Sequence, residues 1–255
     1  MGINKNLVSI ITPSYNSANY IKETIGSVIA QTYQNWEMII VDDCSTDTSL
    51  NVINEYLHKD HRIKLVSLKS NVGAAEARNA ALNTAKGRFI AFLDSDDVWL
   101  PQKLEIQVAI MLKNNFPITF TEYGVFNEDL SKYKYTIKIP DTINYTGYLK
   151  STIIGMSTAI INREMIGSFS FYNIRSRQDA YLWITLLKRN FIAYGVHENL
   201  TKYRLRETSI SANKIQAAKK VWFLYYNLEK LGLIKSSYYF LHYAFNALKK
   251  RIINQ

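Results

Sequence analysis

Asp94, Asp96 and Asp97 stand almost side by side, directly after the apolar run Phe89–Leu93. A short apolar run bounded by breakers marks a strand buried on both faces. The C-terminal ends of such strands are where an open α/β sheet places its ligands. Carboxylates crowded at one strand end repel each other, and one is driven towards protonation unless a cation intervenes. Mg2+ or Mn2+ removes the conflict, because these ions prefer oxygen ligands and use one or two carboxylates plus substrate phosphates. The competing reading is an acidic turn that caps the helix following Pro101.

Two more strand ends carry side chains of the same kind. Pro13-Ser14-Tyr15-Asn16 closes the run Leu7–Thr12, and Asp42-Asp43 closes Trp36–Val41. In a parallel sheet these ends share one edge, so the loops converge on one crevice. Tyr15 can pack on a base, and Asp42 can accept from a base N–H or a ribose hydroxyl. Asn71-Val72-Gly73 lets backbone approach a ligand closely. Arg78 and Asn79 follow on a helix, and an arginine fork suits diphosphate oxygens. Taken singly, each feature is equally a turn or a helix cap. No stretch reads G-x-G-x-x-G or as a P-loop.

The elements that must position these groups alternate. Strands are expected at Leu7–Thr12, Trp36–Val41, Ile63–Leu68 and Arg88–Leu93. Helices are expected at Ala18–Thr32 (capped by Asn16 and Ser17), after Ser45-Thr46-Asp47, over Ala74–Thr84 and over Gln102–Asn114. That alternation means βαβ units and a mostly parallel sheet. Beyond Pro117 the pattern predicts strands at Ile118–Phe126, Lys132–Lys138 and Thr158–Asn162, and an amphipathic helix over Ser176–Asn190. It predicts extended pieces at Phe191–Val196 and Leu200–Arg204, then helix from Ala212 in two pieces broken near Gly232.

A chain of 255 residues with 47% hydrophobic and 20% charged residues suits one α/β domain with a small appendage. The net charge of +10 fits an anionic partner without choosing among nucleic acid, membrane and phosphorylated substrate. The lone Cys44 excludes an intrachain disulfide and fits a reducing compartment. No signal peptide and no membrane-spanning run is expected. The four histidines do not make a metal set, and His197 alone is a weak acceptor-site candidate.

Residues 7–104 resemble the nucleotide-sugar-binding half of the inverting family 2 glycosyltransferases. The resemblance runs through SIITPSYNSANYIKETIGSVIAQTYQNWEMIIVDDCSTDTS, NVGAAEARNAAL and GRFIAFLDSDD, in that order. It implies the GT-A fold: a Rossmann-like, mostly parallel central sheet flanked by helices, here with a C-terminal helical extension. It also implies a nucleoside-diphosphate sugar held by Thr12, Pro13, Tyr15, Asp42, Asn71, Gly73, Arg78, Asp94 and Ser95, with Mn2+ or Mg2+ on Asp96 and Asp94. Arg177-Gln178-Asp179-Ala180-Tyr181-Leu182-Trp183 resembles the family's second motif, with Gln178 in place of its glutamate. Asp179 takes the position of the catalytic base, although near a helix start it can equally act as a helix stabiliser. Arg206 stands where the family often has a histidine. Arg177, Gln178, Trp183 and Arg206 are the implied diphosphate or acceptor contacts.

The resemblance divides the chain into a catalytic domain, 1–211, and amphipathic helices, 212–255. Within the domain it gives a donor half, 1–116, and an acceptor half, 117–211. It implies transfer of one hexose or N-acetylhexosamine from a UDP-sugar, with inversion, to a lipid-linked or oligosaccharide acceptor in bacterial surface-polysaccharide assembly. Nucleic acid is not an expected partner, and a homo-oligomer stays open. Two other classes compete. A nucleotidyltransferase would need a Gly-rich basic loop after the first strand, and a non-catalytic carbohydrate- or membrane-binding protein would not need Asp94, Asp96 and Asp179 together. From Lys219 to the end, seven Lys or Arg stand against one acid, Glu229, among tyrosines and Trp222. Such helices lie at anionic membrane surfaces, so the expected location is cytoplasmic, on the inner face of the cell membrane. The bland alternative packs their apolar faces on the domain or in a dimer.

Overall fold

The computed structural model describes residues 4–206 and 214–253. Glu207, Thr208 and Ser209 of the loop after Arg206, and the predicted helix start at Ala212, lie outside the described residues.

The first half repeats strand and helix. β1 (Asn4–Ser14), α1 (Ile21–Ile29), β2 (Trp36–Asp42), α2 (Ser49–Leu57), β3 (Ile63–Ser67), α3 (Ala74–Thr84) and β4 (Gly87–Phe92) follow in order. Next come β5 (Val98–Trp99), α4 (Lys103–Asn114), β6 (Ile118–Phe126), β7 (Tyr133–Ile137), β8 (Thr142–Ile143) and α5 (Tyr145–Ser151). A 3₁₀ turn, Met156–Thr158, leads into β9 (Ile160–Asn162), α6 (Arg163–Ile166), α7 (Gln178–Lys188) and β10 (Ala193–Arg204). The described chain ends with α8 (Lys214–Phe223), a π turn (Leu224–Leu228) and α9 (Gly232–Ile253).

The strands form one sheet in the order β3-β2-β1-β4-β9-β6-β10-β5. β1, β2, β3 and β4 pair in parallel, as do β6 and β10. β9 lies antiparallel to both β4 and β6, so the two parallel blocks point the same way. Alternation along each strand splits the core between the two faces. Val8, Ile10, Met38, Ile40, Phe89 and Ala91 face one way, onto Ile21, Ile25 and Val28 of α1, Ile53 of α2, and Leu104 and Val108 of α4. Ile11, Ile39, Ile90 and Phe92 face the other way, onto Ala77 and Ala81 of α3 and Trp183, Ile184 and Leu187 of α7. Tyr148 and Leu149 of α5, and Val221, Leu224 and Tyr225, complete that second core.

Two expectations change. Asn16 and Ser17 do not cap α1 with their side chains. The Ser17 carbonyl accepts from the N–H groups of Tyr20 and Ile21, both at 2.9 Å, while Asn16 Oδ1 accepts from the Thr46 N–H at 2.8 Å. Asn16 therefore ties the loop after β1 to the loop after β2. The two extended pieces near the end of the domain are one strand, β10, whose pairing with β6 slips between Val196 and Asn199 and again before Lys202. The slips interrupt the side-chain alternation that would have marked one continuous strand.

β4, which leads into the acids, is seated at its start by a close backbone approach. A Cβ on Gly87 would lie 2.6 Å from the Leu7 carbonyl oxygen and 2.7 Å from the Ser9 nitrogen. Gly26, inside α1, has open space at the same position. Gly87→Ala should therefore lower unfolding stability by about 2–3 kcal/mol, an overpacking cost. Gly26→Ala should raise it by about 0.5–1 kcal/mol through helix propensity. Urea unfolding of both variants checks the pair, and equal effects would refute the backbone-clash account.

Candidate active site

The ends of β1, β2 and β4 lie together: Ser14 pairs with Asp42 across β1 and β2, and β4 flanks β1 on the other side. The three acids after β4 do not share one environment. Asp94 accepts from Arg78 Nη2 of α3 at 2.5 Å, and its own N–H donates to Ser157 Oγ at 3.1 Å. Asp96 accepts from Arg206 Nη1 at 3.2 Å. Burial and the charge of Asp94 push the Asp96 carboxyl above the usual aspartate range, against the pull of Arg206. Asp97 turns inward and is fully buried, accepting from Ser157 Oγ at 2.6 Å and from the Arg204 N–H at 3.1 Å. Burial first, and then the charges of Asp96 and Asp94, raise its carboxyl well above that range. Asp97 is thus a support inside the fold, while Asp94 and Asp96 face outward.

Those two carboxylates form one wall of a cleft of about 500 Å³. Tyr15, Arg78 and Met156 line it as well. The rest of the lining comes from Arg175 to Asp179 at the start of α7, Tyr203 and Arg206 from the end of β10 and beyond it, and Ala217 and Lys220 of α8. Asp179 is in the first turn of α7, behind Arg177, whose φ of 64° is left-handed. Among the described residues, the Asp179 carboxylate has no hydrogen-bond partner. Among the described residues, the cations of the cleft, Arg78, Arg175, Arg177, Arg206 and Lys220, outnumber its acids Asp94, Asp96 and Asp179. Such a space suits a polyanionic ligand with a proton acceptor beside it.

The geometry brings together Tyr15, Arg78, Asp94, Asp96, Arg177, Gln178, Asp179 and Arg206 from the predicted set. The other predicted donor residues occupy the neighbouring edge. Asp42 is buried and accepts from the Ser45 N–H at 3.0 Å and Oγ at 2.5 Å. Thr12 is buried at the end of β1, and Pro13 pairs with Val41. Asn71 donates to the Asp43 carbonyl at 3.2 Å. Asp43 clamps the N–H groups of Val72 and Gly73 at 2.7 and 2.8 Å, where Gly73 has a φ of 89°. The Ser95 carbonyl accepts from Thr24 Oγ1 at 3.0 Å.

Two candidates do not belong to the site. Trp183 is fully buried and meets Phe92 edge-on at 6.3 Å between ring centroids, so it packs the core and touches neither cleft nor solvent. It shares one face of α7 with Ala180, Ile184 and Leu187, all buried. His197, the weak acceptor-site candidate, pairs with Asp141 at 2.6 Å and does not line the cleft. Several residues that matter were not singled out. Arg204 ties the Asp96 carbonyl, at 2.7 Å, to Glu23 of α1, also at 2.7 Å. Ser157 bridges Asp94 and Asp97. Tyr203, Met156 and Lys220 reach the cleft from elements distant in sequence, and no local pattern marks them.

Among the described residues, no three His, Cys, Asp or Glu side chains converge as a metal cage. Asp94 and Asp96 still fit a hard divalent ion, since such ions are held by one or two carboxylates and take further oxygens from phosphate and water. A cation beside them would also relieve the repulsion that raises the Asp96 carboxyl.

A Rossmann-like sheet that presents outward acids and a facing basic cleft at its C-terminal edge defines the GT-A class of glycosyltransferase folds. Among solved structures, residues 1–349 of S. aureus TarS in complex with UDP-GlcNAc superpose with a TM-score of 0.67. The identity is 20%, over 95% of this chain and 71% of that one; of a longer TarS chain, the protein covers 40%. Within that class, the family 2 glycosyl transferase model matches residues 9–177, and the chain belongs to this family. It is 48% identical to the putative teichuronic acid biosynthesis glycosyltransferase TuaG of Bacillus subtilis, over 97% of this chain and 98% of that one. It is 41% identical to WfgD of Escherichia coli, a UDP-Glc:alpha-D-GlcNAc-diphosphoundecaprenol beta-1,3-glucosyltransferase, over 96% and 94%.

The position of Trp183 has a measurable consequence. Trp183→Phe should lower stability by about 1–2 kcal/mol, in line with large-to-small core changes, and leave KM for donor and acceptor unchanged. A raised KM at unaltered stability would return Trp183 to the site.

Proposed function

We propose that the protein moves one hexose or N-acetylhexosamine from a UDP-sugar to a saccharide carried on a lipid diphosphate, in surface-polysaccharide assembly, by a single inverting displacement. The observation that carries this reading is that Asp94, Asp96 and Asp179 line one basic cleft. The activities named for TuaG and WfgD support the choice of acceptor and pathway class. The donor half is 1–116, the acceptor half 117–211, and the remaining residues form the C-terminal extension.

In this reading Asp179 takes the proton from the acceptor hydroxyl as that oxygen attacks the anomeric carbon. Arg206 and Arg78 hold the departing diphosphate, and Tyr15 and Asp42 take the nucleoside. Mn2+ or Mg2+ on Asp96 and Asp94, when bound, neutralises charge on the diphosphate. A single displacement turns an α-linked donor into a β-linked product.

A transfer assay with UDP-glucose and a GlcNAc-diphosphate lipid tests these roles. Asp179→Asn should retain donor affinity and lose turnover by a factor of about 10² or more, as for loss of a general base. Asp96→Ala should abolish the metal-dependent part of donor binding. Near wild-type turnover of Asp179→Asn would move the base elsewhere, and donor affinity indifferent to EDTA would remove the metal.

The C-terminal helices give the proposal its place in the cell. No described helix is long and apolar enough to cross a membrane. α8 and the π turn after it follow the bland expectation, with Val221, Leu224 and Tyr225 buried against the domain. α9 is divided: Tyr239, Phe240 and Tyr243 pack inward, while Ile234, Tyr238, Leu241 and Phe245 form an exposed stripe along one side. Ile234 is 86% exposed and Leu241 68%. Leu248 and Ile252 would extend an apolar face, but their side chains lie outside the described residues. The exposed Lys235 stands beside the stripe, and we assign it to the inner, anionic surface of the cell membrane. Liposome flotation should require anionic lipid and weaken with salt. It should fall at least tenfold in Leu241→Glu/Phe245→Glu, which, unlike truncation, spares the α8 core. Undiminished flotation of that variant would show that the stripe is not the anchor.

A further inference from the structure

A second cavity, about 330 Å³, opens beside the cleft and shares Arg175, Ser176, Arg177 and Lys220 with it. Its remaining walls are Ile174, Lys219, Phe223, Leu224 and Leu228. Four cations therefore rim a space whose other walls are Ser176 and apolar side chains, and among the described residues no acidic side chain lines it. Among the described residues, none of the four forms an ion pair with a carboxylate. The nearby Glu229 is engaged elsewhere, with Lys188 and with the hydroxyl of Tyr145, both at 2.6 Å. Arg177 is held in place from the far side, donating to the hydroxyl of Tyr243 on α9 at 3.2 Å. Phe223 is 48% exposed, an aromatic face left bare at the mouth.

Unpaired cations set against bare hydrocarbon recognise one kind of ligand: an anionic head joined to an apolar chain. We propose that this groove binds the diphosphate of the lipid-linked acceptor and the first units of its hydrocarbon chain. The proposal rests on the lipid-diphosphate acceptor assigned above. Arg175 and Lys219 meet the phosphates, and Phe223 and Leu228 take the chain. The shared residues Arg175 to Arg177 form the partition between the two spaces, so an acceptor anchored in the groove delivers its sugar to the cleft at Asp179. Two anion sites then flank the base: Arg78 and Arg206 for the diphosphate that leaves, and Arg175 and Lys219 for the diphosphate that stays.

The test uses the full chain and dodecyl diphosphate below its micellar concentration, with binding read by calorimetry. The wild type should bind dodecyl diphosphate at least tenfold more tightly than inorganic diphosphate. Lys219→Glu and Phe223→Asp, both at exposed positions outside the catalytic cleft, should each weaken that binding tenfold or more. UDP affinity measured in Mn2+ should stay unchanged in both, which also verifies their folding. Unchanged probe affinity in both variants, no binding by the wild type, or complete displacement of the probe by UDP would each overturn the groove. Equal affinity for the inorganic anion would overturn its apolar half. UDP-glucose hydrolysis, measured in parallel, reports on glycosyl transfer separately, so loss of that reading and loss of this one give different results.

Discussion

Three carboxylates at the end of one strand cannot all be charged side by side, and the tertiary structure separates them. Asp94 meets Arg78 from α3, Asp96 meets Arg206 from beyond β10, and Asp97 turns inward to Ser157 and the Arg204 backbone. Each partner comes from a different part of the chain, so the acids act as a fastening between the first βαβ units and the later strands. Arg204 extends it by reaching the Asp96 carbonyl, Glu23 of α1 and the Glu128 carbonyl at once. The same crowding that would destabilise an isolated turn holds two acids outward, facing the cleft, at the sheet edge.

That arrangement separates charge by role. Asp94 and Asp96 are paired with arginines that themselves line the cleft, so an incoming polyanion competes with carboxylates for the same guanidinium groups. Asp94 and Asp96 would hold a divalent cation, which would leave the arginines to phosphate. Asp179 stands apart from this exchange at the start of α7, where the helix terminus and a left-handed Arg177 fix its approach.

What could be read from sequence alone was what is local. The first four strands, α3 and α7 follow from short apolar runs and helical spacing, and the acids advertise themselves by following β4 directly. The pairings that decide each acid's role were not legible, because Arg206 and Ser157 are set against them by tertiary structure over long separations. Asp97 looked like its neighbours until burial distinguished it. Trp183 was misread in the opposite sense: its position in a motif outweighed a spacing on α7 that already placed it in the core. β10 appeared as two pieces because its irregular pairing breaks the alternation on which strand reading depends.

The π turn between α8 and α9 has a wider implication. Its Glu229 N–H reaches back to the Leu224 carbonyl, five residues earlier and 2.9 Å away. Such a turn accommodates one residue more than regular α-helix would, and each residue sets the following side chains round by about 100°. This surplus residue turns Tyr225 inward to the Leu149 carbonyl at 2.5 Å and brings Glu229 to Tyr145. The Leu231 N–H then donates to the Tyr225 carbonyl at 3.1 Å, and Lys230 and Gly232, with φ of 55° and 75°, turn the chain into α9. A lineage that lost one codon between Leu224 and Leu228 would keep every strand and every acid of the cleft. It would nonetheless lose the spacing that sets Tyr225 and Glu229 against α5, and with it the seat from which the terminal helix sets out.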